Sequence, residues 1–434
     1  MSTTELPDTR KRKKLLFVRR TNGFGGVEII LLDWLKKIDY SRYEVFVSSP
    51  VDVFSQRISE CGVPATFVRL NAQEITHVYG RYQPEKGIND LVKLSFWHFF
   101  PIWLRFMWRI KPDIVIFLDG DFFITPLACV LAAFIVSRGN VSMTIHSPSK
   151  LQKPPEPKPK TSRKYFGIPG LGLWWYRQVW WPLWPWRARG TFSRRILTVS
   201  RAIGERVVGF YGYPRHKMGL VRHGVDTLRF QPCPSQRKCF RSQHGISDGA
   251  FVIASTCRLS YEKNVDWVIN AFNSVASHNA GVWLVLAGDG PLRDEIHALV
   301  STCPTRERIL FLGHVADVCP VLQAADAYVL ASSFEGSPIA LMEAMAVGLV
   351  CLMSRIPGPD EIIEHGRDGI LIEPSEEGVA TGLAMALAMP RQELERMGVA
   401  AREKAVAEYG LEKAVESAFS ELGIETTRLH GANS

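Results

Sequence analysis

Residues 326–347 read DAYVLASSFEGSPIALMEAMAV: an apolar run, a short polar turn, then a longer apolar run. Asp326 to Leu330 reads as a strand. Pro338 at the first helical position, with Ser337 as its N-cap, opens a helix through Val347. Glu335 then falls in the turn, and Glu343 about one turn inside the helix. Two carboxylates flanking a helix N-terminus accept hydrogen bonds from neighbouring hydroxyls. The exposed backbone N–H groups and the helix dipole favour an anionic phosphate nearby. A nucleotide sugar presents both features, with vicinal hydroxyls at its two ends and a diphosphate between them.

The same alternation of short apolar runs with helical patterns extends in both directions. Strands are predicted near residues 14–19, 44–48, 65–69, 113–118, 141–145, 195–199 and 218–221. A second series follows near 251–256, 282–287, 308–312, 326–331, 349–353 and 369–372. Alternating β and α elements build parallel sheets, so the chain reads as α/β with two doubly wound domains. Their junction falls around His223 to Asp248, where Gly224, Pro232 and Pro234 break the pattern. Ligands of such sheets sit beyond the strand carboxyl ends, which predicts an active site in a cleft between the domains. A length of 434 residues agrees with two cores.

Charge and aromatic content are unevenly placed. The net charge is +9, yet the segment from Arg138 to Arg195 carries twelve Lys or Arg against the single acid Glu156. It also holds six of the twelve tryptophans: Trp174, Trp175, Trp180, Trp181, Trp184 and Trp186. Before them, Lys150 to Lys164 is proline-rich and predicts an extended loop. Tryptophan favours the membrane interface and Lys or Arg favour anionic headgroups, so peripheral attachment to an inner leaflet is expected; a Trp-rich core or a dimer contact is the alternative. Phe96 to Trp103, followed by Arg105, Trp108 and Arg109, extends this character. Nothing resembles a nucleic-acid module. Phe122 to Val136 is too short for a bilayer span of roughly 20 residues and reads as a buried helix. The start, residues 1–13, is polar and basic without a secretory apolar core. None of the eight cysteines forms a Cys-x-x-Cys pair, so reduced thiols and a cytoplasmic setting are expected.

After the strand Phe251 to Thr256 come Cys257-Arg258-Leu259 and then Glu262-Lys263-Asn264 at a helix start. Arg258 and Lys263 would bring two cations to the region that Glu335 and Glu343 border, enough to neutralise a departing diphosphate without metal. With Gly288-Asp289-Gly290-Pro291, Phe311-Leu312-Gly313, Ala325-Asp326, Ser333 to Pro338, Glu343-Ala344-Met345-Ala346 and Gly366 to Gly369, the stretch from about Ile196 to Pro374 resembles the retaining glycosyltransferases of family 4. The resemblance implies the GT-B fold, two Rossmann-like domains facing across a cleft. It implies that Arg258 and Lys263 hold the donor diphosphate and that Glu343 binds the ribose hydroxyls. Glu335, with the backbone of Gly336, Ser337 and Pro338, would meet the transferred sugar, though Pro338 supplies no N–H.

The N-terminal half is similar to the family in fewer places. Leu15 to Val18 leads into Asn22-Gly23-Phe24-Gly25-Gly26-Val27-Glu28, a strand, a glycine-rich turn and a helix. The resemblance sets Gly25 and Gly26 facing the donor and His146, after the strand Val141 to Ile145, near donor sugar and acceptor. A purely structural turn and a structural histidine are the alternatives. Asp119-Gly120-Asp121 follows an apolar strand and is similar to the metal-binding pair of the GT-A fold, but that fold has one nucleotide-binding domain and leaves 196–374 unexplained. A loop at the edge of the cleft is expected there instead.

The expected organisation is a basic tail (1–13), an acceptor-side domain (14–223), a linker (224–248), a donor domain (249–390) and C-terminal helices (391–434) crossing back to the first domain. The expected activity is transfer of a sugar from a nucleoside-diphosphate donor to a lipid-linked or saccharide acceptor, with no metal required. A sugar-nucleotide epimerase and a non-catalytic membrane scaffold are the rival readings.

Overall fold

The structure, a computed structural model, describes residues 12–19, 26–49, 52–69, 100–121, 127–147 and 188–426. The strands are β1 (Lys13–Val18), β2 (Tyr43–Ser49), β3 (Thr66–Arg69), β4 (Ile114–Asp121), β5 (Val141–Ser147), β6 (Arg195–Thr198), β7 (Met218–Leu220), β8 (Phe251–Thr256), β9 (Val282–Ala287), β10 (Ile309–Gly313), β11 (Ala327–Leu330), β12 (Val350–Ser354) and β13 (Ile370–Ile372). They form two sheets in the orders β3-β2-β1-β4-β5-β6-β7 and β10-β9-β8-β11-β12-β13, and every pair is parallel. Each sheet starts at its centre, winds outward one way and then returns to wind the other. The reversal falls between β1 and β4 in one sheet and between β8 and β11 in the other. Loops diverge there at the carboxyl ends and leave a crevice.

Parallel strands are covered on both faces, so their sequences are continuously apolar. In the second sheet Val252, Ala254, Val285, Tyr328 and Cys351 face a core with Leu322 and Met345, from the helices Cys319–Ala324 and Ile339–Val347. The alternate residues Ile253, Leu284, Val329 and Leu352 face the helices Val265–Ala276 and Glu376–Ala388. In the first sheet Leu16, Val18, Val115 and Phe117 pack on the helix spanning 100–110 through Trp103 and Met107. Phe17, on the other face, meets Trp34 of the helix Gly26–Lys37.

The entrance to β11 is anchored electrostatically. Asp326 pairs with Arg237 and Arg241 and accepts the Val252 N–H at 2.8 Å. Arg241 is fully buried and also donates to the carbonyls of Ala324, Asp248 and Ala250. A buried guanidinium satisfied on every side fixes where β11 begins, and so where its far end delivers the next loop.

The chain divides into two compact units, residues 1–221 with 416–434, and residues 222–415. Residues 224–248, read from the sequence as a linker, contain the helix Pro234–Gln243 and give Val225, Phe230, Phe240 and Ile246 to the core of the second unit. Asp119-Gly120-Asp121, read as a loop, continues β4, with Asp119 beside Ile145 and Asp121 beside Ser147 of β5. The helix Leu127–Val136 is buried through Ala128, Cys129, Val130, Ala132 and Ala133, as its composition predicts. Among the described residues no helix is long and apolar enough to cross a membrane. The proline-rich loop and the tryptophans from Trp174 to Trp186 lie outside the described residues.

Candidate functional site

Two loops meet at the switch point of the second sheet. After β8 the chain runs through Cys257 to Ser260, makes a 3₁₀ turn at Tyr261–Lys263 and enters the helix Val265–Ala276 through Asn264. Asn264 takes a left-handed conformation (φ 46°, ψ 49°), which asparagine tolerates better than most side chains. After β11, residues 331–338 lead to the helix Ile339–Val347.

The loops are tied together at several points. Asn264 Nδ2 donates to the Ala331 carbonyl at 2.9 Å, and the Ser333 N–H donates to the Glu262 carbonyl at 2.9 Å. Lys263 Nζ pairs with Glu335 Oε1, which also accepts the Ser332 hydroxyl at 2.7 Å. Burial, the largest single influence, would lower the Lys263 pKa; the charge and hydrogen bond of Glu335, with Cys257 and Glu262, together outweigh it and hold the ammonium above its ordinary value. The neighbouring Cys257 thiol is pushed by burial to about 11 and stays protonated. A third loop presses in behind: a Cβ at Gly288 would stand 1.8 Å from the Cys257 carbonyl, and one at Gly290 2.3 Å from that of Leu259. Only glycine permits this approach.

The other end of the β11 loop is held from residue 223. Ser337, buried, offers its carbonyl to the Nδ1–H of buried His223 at 2.8 Å. The helix start lies one residue later than the sequence suggests. Pro338 (φ −71°, ψ 112°) is the N-cap, and Ile339 the first helical residue. Pro338 is extended rather than helical, so the cap position falls on Pro338 itself, one residue after Ser337. No side chain caps this helix among the described residues, and its first amides, those of Ile339 and Ala340, have no partner among them.

Glu343 is the fifth residue of that helix. Its neighbours are Arg229 and Asp317, themselves paired at 2.8 Å, with the Arg229 guanidinium 5.0 Å over the Phe230 ring. Asp226 Oδ1 accepts the N–H groups of Leu228 and Arg229, which sets the turn carrying Arg229. Burial pushes the Glu343 carboxyl up to about 7; Arg229 opposes the rise and Asp317 adds to it. Arg258 is exposed and makes no ion pair with any described residue.

The structure therefore brings Lys263, Glu335, Gly336, Ser337 and Pro338 together, sets Glu343 on the adjoining helix and leaves Arg258 exposed at the end of β8. Gly26 opens its helix in the first unit, and Gly25 lies outside the described residues. His146 is buried at the end of β5, its Nε2 2.7 Å from Thr144 Oγ1. At that sheet's own switch point Arg19 and Glu28 form a buried pair at 2.6 Å, and Arg19 also donates to the Leu118 carbonyl at 2.9 Å. Sequence reasoning did not single out Arg19, His223, Arg229 or Asp317.

Two family models match: the one described as Glycosyltransferase Family 4 over residues 24–229, and Glycosyl transferases group 1 over residues 236–404. The chain is similar to an uncharacterized glycosyltransferase of Methanocaldococcus jannaschii (32% identity over 44% of this chain and 50% of the relative). It is similar to a UDP-Gal:alpha-D-GlcNAc-diphosphoundecaprenol alpha-1,3-galactosyltransferase of Escherichia coli (31%, over 36% and 41%). A GDP-mannose-dependent alpha-(1-6)-phosphatidylinositol monomannoside mannosyltransferase of Mycobacterium tuberculosis is 28% identical over 49% of this chain and 57% of its own length. The chain thus spans about half the length of the curated relatives it matches. In fold it is similar to HepE of Anabaena in complex with UDP and glucose (TM-score 0.69, 19% identity, 95% of this chain and 100% of that one). It is also similar to WaaG, a glycosyltransferase involved in lipopolysaccharide biosynthesis (TM-score 0.63, 15% identity, 93% and 98%). The two sheets are the Rossmann-like domains of the GT-B fold.

The Glu343 environment predicts a pH effect on stability. The carboxyl titrates near 4.5 when unfolded and near 7 when folded, so stability present below the lower value is lost as pH rises through the upper. Glu343→Gln removes that loss. The variant should match the wild type at pH 4.5 and exceed it by about 3 kcal/mol at pH 8 in urea titrations; an equal difference at both pH values would contradict the assignment.

Proposed function

We propose, from the premise that this chain belongs to glycosyltransferase family 4, that it moves a sugar from a nucleoside-diphosphate donor to a lipid-linked or saccharide acceptor with retention of configuration. The observation that carries this reading is the Lys263–Glu335 pair at the β8/β11 switch point, beside an uncapped helix N-terminus and one turn from Glu343. The cation with the free amides matches the diphosphate, Glu335 the sugar hydroxyls and Glu343 the ribose.

In this reading Lys263 turns part of its charge from Glu335 to the diphosphate, and Arg258, exposed beside it, supplies the second cation. As the bond from sugar to diphosphate breaks, these cations and the amides at the start of the helix Ile339–Val347 take up the developing negative charge. The diphosphate oxygen so exposed accepts the proton of the incoming hydroxyl on the same face of the sugar, which gives retention without a covalent intermediate. Glu335 holds sugar hydroxyls, Glu343 holds the ribose, and Gly25, Gly26 and His146 serve the first unit's side of the reaction. No metal is needed, because the charge that a metal would neutralise is met by Lys263 and Arg258. Among the relatives one uses UDP-Gal and another is GDP-mannose-dependent, so both nucleotides are candidate donors.

Incubation with UDP-glucose, UDP-galactose and GDP-mannose, each labelled in the sugar, and a bacterial lipid extract tests the reaction. One donor should pass its label into an acceptor product with the donor's anomeric configuration, and Glu335→Gln should lower the rate by about 10² or more. Release of free sugar or diphosphate without an acceptor product would favour the epimerase reading.

We also place the protein at an anionic membrane surface, in the cytoplasm. On the helix spanning 100–110, Pro101, Arg105, Trp108 and Arg109 occupy one exposed face, with Trp108 64% accessible, while Trp103 and Met107 fill the core. An exposed tryptophan between two arginines suits the headgroup region. In sedimentation with vesicles, binding should need phosphatidylglycerol and weaken severalfold in Trp108→Ala and in Arg105→Glu/Arg109→Glu. Equal binding to neutral vesicles, or no effect of these changes, would contradict it.

A further inference from the structure

We infer that His223 is a positioning residue for the donor site, acting through the carbonyl of Ser337; this rests on the function proposed above. The loop that carries Glu335 is anchored on three sides. Asn264 holds its start, and Glu262 and Lys263 hold its middle, all three from the loop after β8. Its end, where it becomes the helix Ile339–Val347, is reached from elsewhere. There the tie is His223, 114 residues earlier in the chain, at the beginning of the second unit.

A carbonyl oxygen only accepts, so the 2.8 Å contact requires the proton on Nδ1. His223 is 6% exposed, and burial pulls its pKa down to about 4 against the opposing effect of Ser337. The ring is therefore neutral at working pH and carries its proton on Nδ1. Its own place is fixed by the chain on both sides. Arg222 pairs with Glu408, and the Val225 N–H donates to the Tyr409 carbonyl while the Leu411 N–H donates to that of Val225. Gly224 between them has no room for a side chain, since a Cβ would stand 2.7 Å from Leu411 Cα.

The consequence lies in what the Ser337 carbonyl controls. Pro338 offers no N–H and a fixed φ, so the Ser337–Pro338 peptide is the last rotatable unit before the first free amide of the helix. Held by His223, its carbonyl is engaged with the ring and takes no bond from the amides of Ile339 and Ala340. Released, the buried oxygen would seek another donor, and the amides of Ile339 and Ala340, two and three residues on, have no partner among the described residues. His223 thereby keeps the helix N-terminus, four residues after Glu335, free for an anion.

Asparagine places its Nδ2–H close to where histidine places Nδ1–H, whereas alanine supplies no donor. We therefore compare His223→Asn and His223→Ala with the wild type by calorimetric titration with UDP, GDP and ADP, below the melting temperature of each protein. The expected result is a diphosphate affinity about tenfold weaker in His223→Ala, as loss of one buried hydrogen bond implies, and within about twofold of wild type in His223→Asn. Equal weakening in both, or wild-type affinity in both, would overturn the inference while leaving the donor site standing. A wild type that binds none of the three diphosphates would overturn the donor-site reading itself, and this inference with it.

Discussion

Lys263 and Glu335 hold opposite charges, both largely buried, across the gap between the β8 and β11 loops. Removing two charges from water costs several kcal/mol each, and their mutual attraction rarely returns more than that. Such a pair adds little stability compared with two apolar side chains. Its use is to hold a cation and an anion at one place in a crevice without the ammonium losing a proton or the carboxylate gaining one. The ammonium stays charged because the carboxylate is there. When an anionic ligand arrives, one partner can be exchanged for another at small net cost, since the desolvation has already occurred.

The rest of the second unit serves to keep that pair in register. Asp326 and Arg241 fix the entrance of β11, and four residues later the same strand delivers the loop with Glu335. Gly288 and Gly290 let the β9 loop support the β8 loop from behind. The first unit repeats the device with different residues: Arg19, just after β1, pairs with Glu28 of the helix Gly26–Lys37 and reaches the end of β4. Each sheet thus places a buried ion pair at the point where its winding reverses.

The strands were legible because parallel strands covered on both faces must be apolar throughout. Val282–Ala287 and Val350–Ser354 can hardly be read otherwise. The glutamates were legible because Pro338 marks the helix start to within one residue. What sequence could not give was pairing over distance. Arg229 meets Asp317 88 residues away, and His223 meets Ser337 at 114. A single Arg, Asp or His carries no local sign of such a partner. Residues 224–248 misled for a related reason: glycine and prolines suggested a break, yet Phe230, Phe240 and Ile246 give the segment its own anchors in the core.

The account turns on whether the Lys263–Glu335 crevice takes a nucleoside diphosphate without metal. The direct measurement is calorimetric titration of the wild type and of Lys263→Ala with UDP, GDP and ADP in excess chelator. The account predicts saturable binding of one diphosphate by the wild type, weakened about 100-fold or more in Lys263→Ala, as expected for loss of a desolvated charge partner. Binding that requires added magnesium or manganese, or that is unchanged in Lys263→Ala, would contradict it.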